Sequence, residues 1–452
     1  MRNLSASERV LLPLILLAYA VLAVLYAVGT PAWQVPDEPA HYNYVRQVAE
    51  GGCCPVLTAE DWDADMLERL KASGFDPQLL GDLPAIQYED HQPPLYYLLA
   101  APVYALTGGS LTALRLFSAA LGAGVVLCIY GIARLASGGV GVVALGAAAF
   151  AAFIPQHIAI LAGAGNDSLA ELIVGVGLLL AVWTVTPGAA GRPAALPAVG
   201  MGLVMGLGFL TKASTFLLAP VLLLALVLRW RREPDRRWGA LLRAGALFAV
   251  PALALGILWW ARNVGVYGWP DVMGLARHDA VVVGQPRTAD WISREGLGAW
   301  LADGVATTFR SFWGQFGWMG VPMPGWVYLA LLAFTVVSYA GLLPLARRAR
   351  WRALPPARRD AILLLGAVYV LGIAQFVYYN TAFVQFQGRY LYPALAAFAL
   401  VYAAGWHGWG GLLAERLRLP WLRWAPLLVM GGLAGLSGYA LWRFVIPNLR
   451  AW

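Results

Sequence analysis

Eleven runs of apolar residues, separated by arginine-rich or acidic segments, make up about half of this 452-residue chain. Because the hydrocarbon interior of a bilayer offers no water to the backbone, a run of about 20 apolar residues that crosses it must be helical. Only 12% of the residues are charged, which is about half the share in soluble proteins. The sequence therefore predicts an all-α polytopic membrane protein. It argues against a disordered chain, a coiled coil and a nucleic-acid-binding module.

We expect about eleven transmembrane helices in a single membrane domain that comprises residues 1–452. The predicted spans are 10–29, 113–136, 140–162, 168–186, 196–210, 213–230, 241–261, 326–345, 361–379, 389–405 and 425–446. Two short spans meet at Lys212, since a lysine in the middle of the bilayer would be costly. The first span follows two arginines, as the apolar part of a signal peptide would. No small-x-small cleavage site follows it, and we expect it to remain uncleaved.

The distribution of charge predicts which side each loop faces. Arginines cluster at 229–243, 347–359 and 416–423. Arg134 lies near the end of the second span, and Arg192 lies between the fourth and fifth spans. Cytoplasmic loops of membrane proteins are enriched in arginine and lysine, so all these positions are expected in the cytoplasm. Most of the formal net charge of +8 therefore reflects topology and says little about binding partners.

Two long segments, residues 30–112 and 262–325, are expected on the outer face. The first contains twelve of the 24 acidic residues and only three basic ones before residue 95. Within it, residues 95–107 are apolar but too short to span, which is typical of a re-entrant or interfacial helix. Within the second, residues 296–316 repeat apolar side chains at helical spacing, which predicts an amphipathic helix at the membrane surface.

The three cysteines provide neither a disulfide framework nor a zinc-binding spacing. Cys53 and Cys54 are adjacent, and Cys128 lies in an apolar run. A disulfide between the adjacent pair is the alternative, but we expect them to be bystander residues.

Two adjacent carboxylates, Asp37 and Glu38, follow the first span between prolines. Adjacent side chains cannot share one helical face, so the pair suits a tight turn that presents one carboxylate to a ligand and the other to a neighbour or a metal. One of them could act as a general base that deprotonates a hydroxyl group. The alternative is a solvated turn in which Asp37 caps a helix beginning near Ala40.

Further polar residues are expected at the outer ends of other spans. Asn166 and Asp167 form a turn between the third and fourth spans, where a helix cap is the simpler interpretation. Lys212, Arg389 and Arg115 are cations on the side where the positive-inside rule does not predict them. Several converging cations suit a phosphate group, although long side chains reaching for the headgroups would also explain them.

These segments, in this order, resemble the GT-C superfamily of membrane glycosyltransferases. The likeness is greatest to the bacterial branch that includes the protein O-mannosyltransferases and the lipid A aminoarabinose transferases, and within it to an uncharacterised bacterial family. The matching segments are Pro36-Asp37-Glu38, Gln92-Pro93-Pro94-Leu95-Tyr96-Tyr97, Leu114-Arg115-Leu116, Asn166-Asp167, Gly208-Phe209-Leu210-Thr211-Lys212, Phe312-Trp313-Gly314-Gln315-Phe316-Gly317-Trp318 and Gln387-Gly388-Arg389-Tyr390.

The resemblance implies roles for these residues. Asp37 or Glu38 would be the base that activates the acceptor, and Asp167 would be a second acidic residue of the site. The cations expected to bind the donor phosphate are Lys212, Arg389 and Arg115. Further candidates for substrate binding are His41, His91, Tyr96, Asn166, Gln387 and Tyr390.

The resemblance also implies an activity. It is transfer, with inversion, of a hexose or pentose from a polyprenyl-phosphate donor to a glycan, lipid or protein on the outer face of the bacterial cytoplasmic membrane, with the N-terminus in the cytoplasm. No cofactor is expected to be required, although some members of the superfamily use a divalent metal such as Mg²⁺ or Mn²⁺. The alternatives are a transporter or flippase of a polyprenyl-linked lipid, which would need polar or broken helices at the midplane, and a structural subunit.

Overall fold

The computed structural model describes residues 4–186, 194–345 and 348–450. Arg192 and Arg347, both expected on the cytoplasmic side, lie outside the described residues. The α-helices are α1 (Ala6–Gly29), α2 (Glu38–Gly51), α3 (Ala64–Ala72), α4 (Leu95–Leu106), α5 (Leu111–Ala136), α6 (Gly141–Phe153), α7 (Pro155–Leu161), α8 (Asp167–Val185), α9 (Ala195–Phe209), α10 (Leu218–Trp230), α11 (Trp238–Tyr267), α12 (Leu275–Val281), α13 (Thr288–Trp313), α14 (Gly325–Ala340), α15 (Arg348–Ala353), α16 (Pro356–Ala382), α17 (Leu395–Leu417), α18 (Ala425–Ala440) and α19 (Ile446–Asn448). Short 3-10 helices lie at Ala59–Asp61, Pro77–Ala85, Ala213–Leu217, Gly388–Ala394 and Pro420–Trp424, and a π-helix lies at Leu441–Val445. Strands β1 (Gln315–Phe316) and β2 (Val321–Pro322) form an antiparallel pair.

The predicted spans coincide with helices, and the all-α membrane architecture is confirmed. Among the described residues, seven helical segments are long and apolar enough to cross a membrane, and α6 with α7 would make an eighth span, bent by 65°. The predicted spans 196–210 and 326–345 correspond to the shorter helices α9 and α14, and 389–405 to a 3-10 turn followed by α17. The count of eleven stays a prediction.

Helix α6 lies at the centre of the bundle, because α1, α5, α17 and α18 pack around it. Every residue from Val143 to Phe153 is buried. The helix is rich in alanine and glycine, and small residues allow helix backbones in a membrane to approach closely. At Gly146 a Cβ atom would lie only 2.8 Å from Cβ of Pro426, so a larger residue would push α18 away.

The predicted re-entrant segment 95–107 forms α4, a helix of 12 residues. A helix of this length is too short to cross a bilayer. It packs against α2 and α5, and the Leu95 N–H donates a 2.8 Å hydrogen bond to the carbonyl of Leu210 in the turn after α9. The segment 30–112 is thereby held against one end of the bundle.

The predicted amphipathic helix 296–316 corresponds to the second part of α13, with different bounds. Gly296 interrupts α13 with a φ of 84°, and the helix ends at Trp313. Phe316, expected on the helix, lies in β1 because the chain becomes extended at Gly314. Apolar residues that are more than half exposed on this helix are Leu297, Leu301 and Val305.

Cys53 and Cys54 are joined by a disulfide bond, so the expectation of bystander residues was wrong. The adjacent residues can be bonded only in a particular backbone conformation, and residue spacing does not reveal that conformation. The carbonyl of Cys54 accepts a 3.2 Å hydrogen bond from Arg262, which ties this turn to α11. Cys128 is buried and free.

Candidate active site

Asp37 lies in the turn between α1 and α2 and faces two other segments of the chain. Its φ of 65° is in the left-handed region, which aspartate adopts more readily than most residues. The carboxylate accepts hydrogen bonds from the Tyr88 hydroxyl at 2.9 Å and from Nη2 of Arg389 at 2.5 Å. Asp37 occupies the N-cap position of α2, but its side chain makes no capping hydrogen bond to that helix and binds Tyr88 and Arg389 instead.

Glu38 points away from Asp37 into the protein. Its Oε1 accepts hydrogen bonds from Arg115 at 2.8 Å and from the Ala164 N–H at 3.1 Å. Its Oε2 accepts hydrogen bonds from Arg115 at 2.7 Å and from the Trp33 N–H at 3.1 Å. The remaining Arg115 donors bind the carbonyl groups of Ala27, Thr30 and Pro31. The Glu38 side chain is 0% exposed and that of Arg115 is 3% exposed. This geometry does not support Glu38 as a base or Arg115 as a phosphate ligand, because a substrate could reach neither.

Four charged residues from distant parts of the chain meet beside the Asp37 turn. Lys212, in the turn after α9, forms an ion pair with Asp167 at the first residue of α8. Arg389, in the 3-10 turn before α17, binds Asp37 and also has its Nη1 3.7 Å from Oδ2 of Asp167. We call Lys212, Asp167, Arg389 and Asp37 the charge cluster. Its two cations balance its two carboxylates.

The charge cluster is shielded from bulk water but is not sealed. Its side chains are between 8% and 24% exposed. Burial would by itself raise the pKa of Asp37, but the Arg389 guanidinium, together with His41 and the Tyr88 hydroxyl, lowers that pKa to about 2. Nε of Arg389 is buried and has no hydrogen-bond partner. An incoming anion could accept a hydrogen bond from it.

His41 and Asn166 lie at the α2 and α8 side of the charge cluster. Nδ1 of His41 is 2.9 Å from the Tyr97 hydroxyl, and burial lowers the pKa of His41, so the ring is neutral at pH 7. The Asn166 amide donates weak 3.4 Å hydrogen bonds to Gln92 and to the same Tyr97 hydroxyl. Its Oδ1 is buried without a partner, so an acceptor oxygen remains free at this position.

Tyr390 and His91 border the charge cluster. The Tyr390 ring lies 5.3 Å from Cζ of Arg389. Nδ1 of His91 donates a 3.1 Å hydrogen bond to the carbonyl of Tyr88, and its ring lies 4.3 Å from the ring of His278. Burial lowers the pKa of His91 to about 4, so this side chain is also neutral at pH 7.

Tyr96 and Gln387 bind their own surroundings rather than the charge cluster. The Tyr96 hydroxyl is 2.7 Å from the Ser118 hydroxyl on α5, and the Tyr96 side chain is fully buried. The Gln387 amide donates a 2.8 Å hydrogen bond to the side chain of Gln385. Both residues therefore support the elements of the site, and the structure brings neither to a charged group of the cluster.

Tyr88 and Glu89 belong to this site but were not selected from the sequence. Tyr88 donates its hydroxyl proton to Asp37. Oε2 of Glu89 is buried without a hydrogen-bond partner, and its carboxylate is close enough to His41 to act on that ring electrostatically. The sequence did contain a signal, since Glu89 and Asp90 form an acidic pair shortly before the motif that begins α4.

The charge cluster does not suit a divalent metal. Throughout residues 4–186, 194–345 and 348–450, no group of three or more His, Cys, Asp or Glu side chains is arranged to hold an ion. Asp37 and Asp167 already face cations, and a metal would have to displace Arg389 or Lys212 from them. We therefore derive no step through a metal ion.

An apolar cavity of about 430 Å³ lies between α13, α14, α16 and α17. Residues that line it include Trp300, Phe309, Trp313, Phe376, Leu391 and Phe398. Leu391 is two residues after Arg389 in the turn Gly388–Ala394. One short turn therefore contributes to both the apolar cavity and the charge cluster.

Comparison with known sequences supports the resemblance predicted above. Residues 91–259 match the family model described as dolichyl-phosphate-mannose-protein mannosyltransferase. An undecaprenyl phosphate-alpha-4-amino-4-deoxy-L-arabinose arabinosyl transferase of Pseudomonas aeruginosa is 30% identical over 53% of this chain and 35% of its own length. A second such transferase, from Pseudomonas fluorescens, is 26% identical over 80% of this chain and 51% of its own length. The chain thus matches only a third to a half of the curated relatives' length.

Comparison with solved structures shows the same fold. ArnT from Cupriavidus metallidurans, in a crystal structure with undecaprenyl phosphate, has a TM-score of 0.52 at 18% identity over 98% of this chain and 74% of its own. The apo oligosaccharyltransferase of Archaeoglobus fulgidus has a TM-score of 0.51 at 15% identity, over 95% of this chain and 55% of its own. The predicted resemblance to GT-C membrane glycosyltransferases is confirmed.

Proposed function

We propose that this GT-C-like membrane protein is a glycosyltransferase that uses a polyprenyl-phosphate-linked sugar. The observation that carries the proposal is the turn Gly388–Ala394, which joins the charge cluster to the apolar cavity. A polyprenyl-phosphate sugar has the matching division into an apolar chain, an anionic phosphate and a polar sugar. The names of the curated relatives support the same class of donor.

Lys212 and Arg389 would bind the donor phosphate. Both are cations in a partly buried site, where hydrogen bonds to a phosphate are strong. The unpartnered Nε of Arg389 supplies a donor that the resting protein does not use. When the bond between the sugar and the phosphate breaks, negative charge accumulates on the leaving phosphate. Once the donor is bound, cations held against its phosphate would stabilise that charge without further reorganisation.

Asp37 would be the general base. In the resting protein its charge is held by Arg389, which helps to keep the pKa of Asp37 at about 2. A phosphate that draws the guanidinium towards itself would release the carboxylate and raise its pKa towards the range useful for catalysis. The acceptor oxygen would then attack the anomeric carbon opposite the phosphate. The old C–O bond breaks, the new C–O bond forms with inversion, and the acceptor proton passes to Asp37.

Glu89 would contact the sugar. Its buried Oε2 has no partner, and the charge cluster is already neutral, so this carboxylate needs hydrogen-bond donors from a ligand. Sugar hydroxyl groups or an ammonium group would satisfy it. We infer a pentose or a hexose, and the names of the curated relatives favour an amino-pentose.

The membrane orientation follows from the distribution of arginines. With the N-terminus in the cytoplasm, the charge cluster would lie at the outer surface of the bacterial cytoplasmic membrane, among the headgroups. An acceptor glycan, lipid or protein would approach from that side. The lipid chain of the donor would occupy the apolar cavity beside α13.

Binding of undecaprenyl phosphate tests the donor class. The purified protein in detergent should bind this lipid, and Arg389→Ala should weaken binding by about 30-fold or more, since losing one partner of a desolvated charge pair costs about 2 kcal/mol or more. Arg287→Ala is the matched control, because Arg287 is also paired with an aspartate, Asp279, but both side chains are more than 40% exposed. Equal affinity in all three proteins would contradict the proposal that Arg389 binds the donor phosphate.

A further inference from the structure

A buried pair, His157 and Glu171, lies below the charge cluster and takes no part in the mechanism described above. Nε2 of His157 is 2.8 Å from Oε2 of Glu171, with 0% of the first side chain and 5% of the second exposed. An ionisable residue inside a membrane domain is costly and usually has a function. We therefore expect this buried pair to have a function.

The bend between α6 and α7 explains why a histidine can lie here. Pro155 has no N–H, so the carbonyl of Ala151, four residues earlier, loses its helical hydrogen bond. Nδ1 of His157 donates a 2.7 Å hydrogen bond to that carbonyl. Because a carbonyl only accepts, this bond fixes a proton on Nδ1. The hydrogen bond between Nε2 and Glu171 then holds a second proton, which belongs either to the imidazole or to the carboxyl group.

His157 contacts both α8, which provides Asp167, and the turn Gly388–Ala394, which provides Arg389. Through Glu171 it binds α8 one turn below Asp167, on the same face of that helix. Its ring also packs edge-on against Tyr392, with 4.9 Å between the ring centres, and Tyr392 lies in the same turn as Arg389.

We propose that His157 is a positioning residue that holds Asp167 and Arg389 at their observed separation. It reaches no substrate. It links the start of α8 to the turn Gly388–Ala394, and so aligns the cations that bind the donor phosphate. In its catalytic part this inference rests on the proposed glycosyltransferase function. Misplacing a substrate-binding group by about 1 Å can reduce a rate by about 100-fold.

Two substitutions separate positioning from folding. His157→Asn keeps an amide N–H near the position of Nδ1, and so keeps the bond to Ala151, but it cannot reach Glu171. His157→Gln places an amide near Nε2 and keeps the bond to Glu171, but it releases the carbonyl of Ala151. Ser437→Ala is the structural control, since Ser437 donates a 2.8 Å hydrogen bond to the carbonyl of Phe153 and lies outside the site.

Transfer at saturating donor, per folded molecule, should fall about tenfold in His157→Asn, because a misaligned site costs rate. The Tm of this variant should also fall, because the buried Glu171 carboxyl loses its partner. His157→Gln should lower the Tm, as Ser437→Ala does, and keep the rate per folded molecule. The proposal is overturned if His157→Asn transfers at the wild-type rate. It is equally overturned if both His157 variants lose rate only in proportion to the folded protein.

A measurement without activity separates this inference from the proposed function. The Tm is measured for His157→Asn, for Arg389→Lys and for the double variant. Because Tyr392 connects the two positions, the shift in the double variant should differ from the sum of the single shifts. Additive shifts would contradict the positioning role. Absence of transfer from every polyprenyl-phosphate donor in the wild type would instead contradict the proposed function.

Discussion

The Arg389 guanidinium donates a 2.5 Å hydrogen bond to the Asp37 carboxylate, across 352 positions of sequence. This contact joins the first turn after α1 to the turn before α17, so the site exists only when the whole bundle is assembled. The same contact helps to keep the pKa of Asp37 at about 2. At that pKa the carboxylate is too weak a base to take a proton from an acceptor hydroxyl. Donor binding and base activation would be coupled through one guanidinium group.

The pair of Glu38 and Arg115 should matter for stability rather than for chemistry. Removing one partner of a buried ion pair leaves an uncompensated charge and costs about 3–5 kcal/mol. We expect Arg115→Met to lower the Tm strongly and to reduce the yield of folded protein. Asp37→Asn should lower the Tm far less, because an amide oxygen can still accept hydrogen bonds from Tyr88 and Arg389. Thermal unfolding in detergent measures this. A stable Arg115→Met protein that had lost only donor binding would restore the phosphate-binding role expected from the sequence.

Asp90 should make stability depend on pH. Burial raises the pKa of Asp90 to about 8, whereas an aspartate in an unfolded chain has a pKa of about 3.9. The folded protein therefore binds more protons between these values, and its stability falls as the pH rises from about 4 to about 8.

Asp90→Asn resembles the protonated acid and can still accept the 2.8 Å hydrogen bond from Gln47. Its Tm should exceed that of the wild type at pH 8.5, and the difference should shrink towards pH 5.5. Tm values are measured across that range for both proteins. A difference that does not change with pH would show that Asp90 is ionised in the folded protein.

The cavity beside α13 should determine affinity for the lipid chain. Val305 lines the cavity, and Val305→Trp would fill part of it. We expect undecaprenyl phosphate to bind about tenfold more weakly, which corresponds to about 1.4 kcal/mol of lost apolar contact, and geranyl phosphate to be affected less. Val336→Trp is the control, because Val336 is equally apolar and exposed on α14 but does not line the cavity. Equal effects of the two variants would place the lipid elsewhere.

The predicted topology can be tested by chemical labelling. With the native cysteines replaced by serine, a cysteine at position 62 should react with a membrane-impermeant reagent added to intact cells. A cysteine at position 235 should react only after the membrane is opened. The reverse pattern would place the charge cluster in the cytoplasm.

The helices and the members of the charge cluster could be predicted because few polar residues interrupt this apolar chain. The positive-inside rule assigned Asp37, Asp167, Lys212 and Arg389 to one side, and the structure brings these four together. An apolar chain retains such residues only where they have partners or a function.

The partners of individual side chains could not be predicted. Asp37 and Glu38 are neighbours in sequence, yet one faces the cluster and the other is buried against Arg115, because the left-handed backbone at Asp37 turns the chain between them. Glu89 was missed for a related reason. Oε2 of Glu89 is buried without a partner, and residue type alone does not distinguish a paired carboxylate from an unpaired one.

The decisive measurement follows the donor lipid itself. The purified protein is placed in proteoliposomes with undecaprenyl phosphate-linked 4-amino-4-deoxy-L-arabinose and an extract of cell-envelope acceptors, and released undecaprenyl phosphate is quantified. The wild type and the control Asp82→Asn, at an exposed position of the 3-10 helix Pro77–Ala85, should release it, whereas Asp37→Asn and Arg389→Ala should not. Movement of the intact donor across the bilayer without cleavage, or equal release by all four proteins, would contradict the proposed enzyme.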